Sequence, residues 1–258
     1  MLEPMTWRRD EAMPTAAPPS APPAARRRFV RFSEMAPEWV NREMHLHTSY
    51  TDGRPTVAEV VRRAEELGLE EIAFTEHVRR DSEWFHGFAD EVRRAAAAAG
   101  GALRVLVGAE VRITDFDGSL DITPELRREC DVLLASVHRF PGPGGAPLDF
   151  ARVPREEFAA IEYRTALGLV RRGGADVLAH PGGMSQRHLG GFPDEAYLSL
   201  MEESVQTRVA IEISSSYLRD VPAFLGLLGR VDPLVSVGSD AHGLEELGRC
   251  RDVLRGCL

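Results

Sequence analysis

From Arg42 onward, short apolar runs alternate with longer stretches of helical periodicity. The run "EMHLH" (43–47) precedes "TVAEVVRRAEELG" (56–68), where Val57, Val60, Val61, Ala64 and Leu67 keep helical spacing and Gly68 supplies a stop. "EIAFTEH" (71–77) reads as a strand and "DSEWFHGFADEVRRAAAAAG" (81–100) as a helix. "LRVLVGAEVRI" (103–113) is a strand, and "TPELRREC" (123–130) a short helix with Thr123 as N-cap and Pro124 at its first position. The alternation continues through strand "DVLLASVH" (131–138) and helix "PREEFAAIEYRTALGLVRRGG" (154–174), then strand "ADVLAH" (175–180) and helix "PDEAYLSLMEESVQ" (193–206). Strand "RVAIEIS" (208–214), the mostly helical "YLRDVPAFLGLLGR" (217–230), strand "PLVSVGSD" (233–240) and helix "GLEELGRCRDVLRG" (243–256) complete it. Seven near-continuous apolar strands, each followed by a helix, predict an α/β fold with a parallel sheet covered on both faces. A closed barrel and an open doubly wound sheet both satisfy the pattern. Before residue 41 the periodicity is missing. "PTAAPPSAPPAARRR" (14–28) has little to bury, so residues 1–40 are expected as a flexible Pro/Ala/Arg-rich tail with a solvated Arg26–Arg28 cluster. Residues 41–258 form a single domain in this reading, with no internal repeat.

The polar residues are not scattered over this pattern. Six of the eight histidines lie at or just past the C-terminal ends of the expected strands. His45 and His47 end the first strand, His77 the second, His138 the fourth and His180 the fifth; Asp240 and His242 follow the seventh, and Glu110 ends the third. One strand ending in His is bland. When five of seven do so and a sixth ends in Glu, a shared rim is implied, because in a parallel barrel all strand C-termini converge on one face. His45 and His47 are an i, i+2 pair, so both rings point to one face of a strand. Imidazoles with carboxylates suit divalent Zn, Mn or Fe. The candidates are too many for one tetrahedral ion and imply two or three ions sharing bridging carboxylates.

Composition narrows the chemistry further. The net charge is −9, which argues against a general nucleic-acid binder. All 31 cationic side chains are Arg. With no Lys, Schiff-base catalysis and a Walker-type phosphate lysine are excluded, and phosphate handling must rest on Arg, backbone amides or metal. Cys130, Cys250 and Cys257 lack metal or redox spacing and suggest a reduced, cytoplasmic protein. No apolar run reaches membrane-spanning length, and the N-terminus has no compact apolar signal segment.

The ordered set "HLHTSYTDG", "FTEH", "GAE", "SVH", "AHPGG" and "GSDAH" resembles the polymerase and histidinol phosphatase (PHP) family over about residues 43–245. The resemblance implies a distorted TIM-like (β/α)7 barrel with a trinuclear metal site at its C-terminal rim. By motif position it implies one ion on His45, His47, Glu110 and Asp240. A second would lie on Glu110, His138 and His180, and a third on Asp52, His77 and His242, with Glu110 bridging the first two. One departure is visible: "TEH" stands where many members have Thr-Asp-His, which questions the surroundings of His77 rather than the ligand itself.

The chemistry this implies is hydrolysis of a small phosphomonoester, histidinol-phosphate-like or a sugar or nucleotide phosphate, by metal-activated hydroxide. Asp52, Glu110, Asp240 and His242 are the expected catalytic residues. Arg139 and Arg187, then Arg112 and Arg219, are the expected phosphate contacts, since Arg forks match phosphate oxygens. Arg187 sits in "GGMSQRHLGG", a Gly-rich segment placed to close over substrate. Ser214, opening "SSSY", reaches the same rim, where it contacts substrate or caps the next helix. His188 reads as a leaving-group acid or an exposed loop residue; His86, with Trp84 and Phe85, reads as a specificity wall or a helix face. The alternatives are a phosphodiesterase acting on nucleic-acid ends or cyclic phosphates, a non-catalytic PHP module, and an amidohydrolase. The last usually wants a carboxylated Lys, which this chain lacks.

Overall fold

A computed structural model describes residues 28–99, 101–142 and 146–257. The expected tail lies largely outside these, including Arg26 and Arg27. Its last residues do not: β1 (Val30–Arg31) is followed by a 3-10 turn at Phe32–Glu34, and Met35 and Val40 are buried. The seven expected strands follow as β2 (Arg42–Leu46), β3 (Glu71–Val78), β4 (Arg104–Arg112), β5 (Val132–Ser136), β6 (Val177–Leu178), β7 (Ala210–Ser214) and β8 (Leu234–Gly238). They alternate with α1 (Val57–Glu66), α2 (Phe85–Ala98), α3 (Pro124–Glu129), α4 (Arg155–Arg172), α5 (Gly183–Leu189), α6 (Asp194–Thr207), α7 (Val221–Val231) and α8 (Arg249–Arg255).

Local signals set most boundaries. Thr56 and Glu59 form a reciprocal capping box at the start of α1, and Thr123 caps α3 by accepting from Leu126 N–H. Gly173, in the left-handed region, ends α4. Two expectations need correction. "GGMSQRHLGG" is not an open loop, because α5 forms within it between left-handed Gly182 and Gly190. The last helix is shorter than its periodicity suggests, since residues 243–248 are turns.

β2 to β8 are parallel neighbours in chain order, and β1 pairs antiparallel with β8. The sheet curls until its ends meet. That seam carries one isolated parallel bridge, Leu46 to Ala241, not a ladder. There His47 N–H donates to Ala241 O (2.8 Å) and Ala241 N–H to His45 O (3.2 Å). The result is a TIM-like barrel closed at a single point, as the distortion in the expected fold requires.

Period-two alternation sorts the strand residues into two cores. Outward residues such as Ile72, Phe74, Val107, Leu133, Ile211 and Val237 pack in the main core beneath the helices. Inward residues Met44, Ala73, Leu106, Val132, Leu134, Val177, Ala179 and Ala210 form a separate apolar cluster. This cluster is the floor of the barrel. Each large apolar side chain fully buried in these cores stabilises the fold by about 1.5–3 kcal/mol. The polar residues lie one layer above the floor.

Candidate metal centre

Continuing the inward alternation past the floor brings Thr75 and His77 from β3, Gly108 and Glu110 from β4, and Ser136 and His138 from β5 into the barrel mouth. Glu212 and Ser214 follow from β7, and Ser236, Gly238 and Asp240 from β8. Two strands break the alternation, and both breaks carry a histidine. Glu43 aligns with Ile72 and Leu46 with Phe74, so β2 holds one extra residue over that step. The bulge lets floor residue Met44, then His45 and His47, all turn inward. After β6, Ala179 belongs to the floor, so His180 should point outward. Its φ of 27° turns the ring back in. Asp240 has φ 49°, while the other described non-glycine residues with positive φ, Arg208 and Asp232, end α6 and α7. Strain of about 1–3 kcal/mol at each such residue persists only where the surroundings enforce it, and it clusters at functional sites.

The nine expected ligands converge. Glu110, 2% exposed, is the hub. Its Oε1 lies 2.8 Å from His180 Nε2 and 3.2 Å from His138 Nε2. Its Oε2 lies 2.9 Å from His77 Nδ1, 3.5 Å from His45 Nε2 and 3.7 Å from His47 Nε2. Asp240 Oδ1 is 3.1 Å from His47 Nε2 and 3.4 Å from His45 Nε2. On the outer side, the Asp52 carboxylate lies 3.3 Å from both His77 Nε2 and His242 Nε2. Four sets of donor atoms are close enough to share an ion: His45/His47/Asp240, His45/Glu110/His180, His77/Glu110/His138, and His47/Asp52/His77/His242.

The donor chemistry fits metal. His45 Nε2, both nitrogens of His47, and Glu110 Oε2 are buried without a hydrogen-bond partner among the described residues. Orphaned buried polar atoms of this kind are costly unless something coordinates them. Neighbouring groups also fix the tautomers. His45 Nδ1–H donates to Glu212 Oε1 (2.8 Å), and His242 Nδ1–H donates to Asp240 O (2.9 Å), which leaves each Nε2 lone pair facing the centre.

The protonation equilibria reflect the crowding. Burial alone would raise Glu110, but His138 and His45 hold it well below the usual carboxylate range. Asp52 is held low by His242 and His77; Asp240 is held low against its burial by His45 and His47. His47, buried beside other imidazoles, falls to about 4. His77, despite burial, rises to about 10 through Asp52 and Glu110, and His242 rises to about 9 chiefly through Asp52.

Sequence reasoning missed three buried glutamates that hold the segments around the centre, and it singled out a fourth, Glu76, only as a departure from the family motif. Glu212 anchors His45 and also accepts from His180 N–H (2.6 Å). Glu43 accepts from Ser239 N–H (2.6 Å) and Gly248 N–H (3.1 Å), fixing the turn that carries Asp240. Glu76, the residue that departs from the family motif, accepts from Thr48 N–H (2.8 Å) and the hydroxyls of Thr48 and Thr51. It therefore organises the turn leading to Asp52. Glu162 of α4 accepts from Met184 and Ser185 N–H (2.9 and 2.7 Å), which is why α5 forms in a Gly-rich segment. A Glu on an apolar face of strand or helix was the available signal.

The expected substrate contacts are placed unequally. Arg139 is exposed and makes no hydrogen bond or ion pair among the described residues. Arg187 donates to Tyr217 Oη (3.1 Å), whose ring stacks on His180 at 4.4 Å. The Arg219 guanidinium lies beside Gly190. Arg112 shares the inward face of Glu110 but is paired with Asp121 at 3.0 Å. Ser214 is buried at the end of β7 with an unpartnered hydroxyl. His86 pairs with Glu129 on the surface, and His188 packs against Phe150 and Phe158; neither joins the cluster. Phe85 is core, and Trp84 packs against Tyr50.

The PHP domain profile matches residues 43–216. A protein of Caldicellulosiruptor bescii named "Probable phosphatase" is 24% identical over 219 residues, covering 81% of this chain and 82% of its own. "Probable phosphatase YcdX" of Escherichia coli is 22% identical over 222 residues, covering 83% of each chain. A crystal structure assigned to a histidinol phosphatase of Listeria monocytogenes superposes with a TM-score of 0.61 at 15% identity, covering 82% of this chain and 99% of that one. That superposition shows the fold.

Proposed function

The chain belongs to the PHP domain family, and from that premise we propose that this metal-dependent phosphoesterase hydrolyses a small phosphomonoester: histidinol phosphate or a related sugar or nucleotide phosphate. One observation carries the reading: a single buried carboxylate, Glu110, meets five imidazoles through its two oxygens. In this reading His45, His47, Asp240 and Glu110 hold one divalent ion, and Glu110, His138 and His180 a second. Asp52, His77 and His242 hold the outer one. Zn, Mn and Fe all suit nitrogen and carboxylate donors.

Such ions, when bound, acidify water and offset phosphoryl charge. The chain's own groups do the rest. Glu110 and Asp240, both held ionised, orient the imidazoles that face the centre, and their charge favours protons there that a bound ion would displace. Asp52 and His242 line the open side, where Asp52 is 55% exposed and His242 Nδ1–H is held on Asp240 O. Arg139, exposed beside His138 and without an ion pair among the described residues, is a guanidinium available to phosphoryl oxygens as substrate enters. The acidic chain favours a small substrate over a polymer.

The test is phosphate release by protein loaded in turn with Mn, Zn or Fe, against a panel of phosphomonoesters with short oligonucleotides and cyclic phosphates beside them. Elemental analysis is run on the same samples. Release from monoesters above oligonucleotides is the expected outcome. A metal-loaded protein that cleaves no monoester overturns the reading.

A further inference from the structure

We propose that Tyr217, held by Arg187, is a substrate-binding residue whose phenolic O–H donates to a phosphoryl oxygen at the centre. This rests on the phosphomonoesterase reading above. Tyr217 lies in the turn after β7, and its ring stacks on His180 with 4.4 Å between centroids and 28° between planes. The fit is shaped around a missing side chain. A Cβ on Gly183 would sit 2.9 Å from Tyr217 Cδ1 and 3.0 Å from His180 Nδ1. The far side of that imidazole, Nε2, meets Glu110. The phenol is thus built into the wall of the centre.

Its hydroxyl joins the two sides of the site. A phenol offers one donor and accepts through its lone pairs. Arg187 Nη2–H donates to Oη at 3.1 Å, using an acceptor, and its guanidinium carbon lies 5.2 Å over the ring. The phenolic proton is left for the Asp240 side of the centre, where that carboxylate interacts with it. Asp240 also faces His45 and His47, so a phosphoryl group seated there would present its oxygens to the same donor. The donation from Arg187 polarises the O–H and strengthens it as a donor. In a chain without Lys, this pair supplies two donors at the site wall.

The experiment uses the full, metal-loaded chain. Tyr217→Phe keeps the ring on His180 and removes only the donor. We expect kcat/KM for p-nitrophenyl phosphate to fall about tenfold or more, as for a lost hydrogen bond to a charged group. Inorganic phosphate, measured by calorimetry, should bind weaker by a similar factor, with metal content and thermal midpoint unchanged. Arg187→Gln should weaken phosphate binding too. Unchanged phosphate affinity in Tyr217→Phe overturns the inference and leaves the phosphatase reading standing. Loss of metal in that variant also overturns it, because the ring would then serve only to pack His180. If the wild type cleaves no monoester, the functional reading falls, and phosphate affinity still decides the role of Tyr217.

Discussion

His45 Nδ1 and Glu212 Oε1 lie 2.8 Å apart, both side chains wholly buried, from residues 167 positions apart in the chain. The second oxygen of Glu212 takes the His180 amide. One carboxylate therefore sets the tautomer of one candidate ligand and the backbone of another. Glu212→Gln cannot accept at both places. Metal affinity should fall by about 10–100-fold, the usual cost of losing such a partner. Chelator titration followed by elemental analysis checks this; unchanged retention would mean that Glu212 serves folding alone.

Gly238 marks the same contact from the next strand. A Cβ there would lie 2.5 Å from both Glu212 Oε1 and the His45 Cβ. Gly238→Ala should overpack the buried pair and cost about 1–3 kcal/mol of stability. Urea unfolding of the variant measures it, and a midpoint equal to wild type would show that the strands yield.

Glu76 controls the outer set. Glu76→Ala removes the acceptor for the Thr48 amide and two hydroxyls. The turn bearing Asp52 loosens, and the outer ion should bind about 10–100-fold more weakly while the inner ions are retained. Metal counts per chain in the variant distinguish this from collapse of the whole site.

Proton linkage gives a pH prediction. In the metal-free protein His77 is raised to about 10 and His242 to about 9, above the ordinary imidazole value of 6.5. Folded pKa values above unfolded ones mean that protonation stabilises the metal-free fold. That contribution is complete below pH 6.5 and is lost as pH rises through 9 to 10. The melting midpoint of chelator-treated protein should drop over this window. Ions compete with the same protons, so apparent metal affinity should rise with pH and binding should release protons. Calorimetry in buffers of different ionisation enthalpy counts them; zero release would contradict the placement of both histidines.

Much of this protein was legible in one dimension. Apolar runs of strand length separated by helical repeats specify a parallel sheet, because each such strand must be covered on both faces. Polar residues placed at strand C-termini meet at one rim in any parallel barrel. Hence His45, His47, His77, Glu110, His138, His180, Asp240 and His242 could be chosen without coordinates; Asp52, in a turn, came only from the family resemblance, and the structure brings all nine together. Periodicity reads neighbours within one element, and it stops there. The bulge that turns His45 inward, the left-handed φ of His180 and Asp240, and the edge strand β1 all depend on what packs against them. So does α5, which forms because a glutamate from α4 reaches its first amides. The distant pairs, Glu212 with His45, Glu43 with Ser239 and Tyr217 with His180, have no local signature. Burial excludes water from these groups, so each polar atom must find a partner elsewhere in the fold, and only the tertiary structure decides which one.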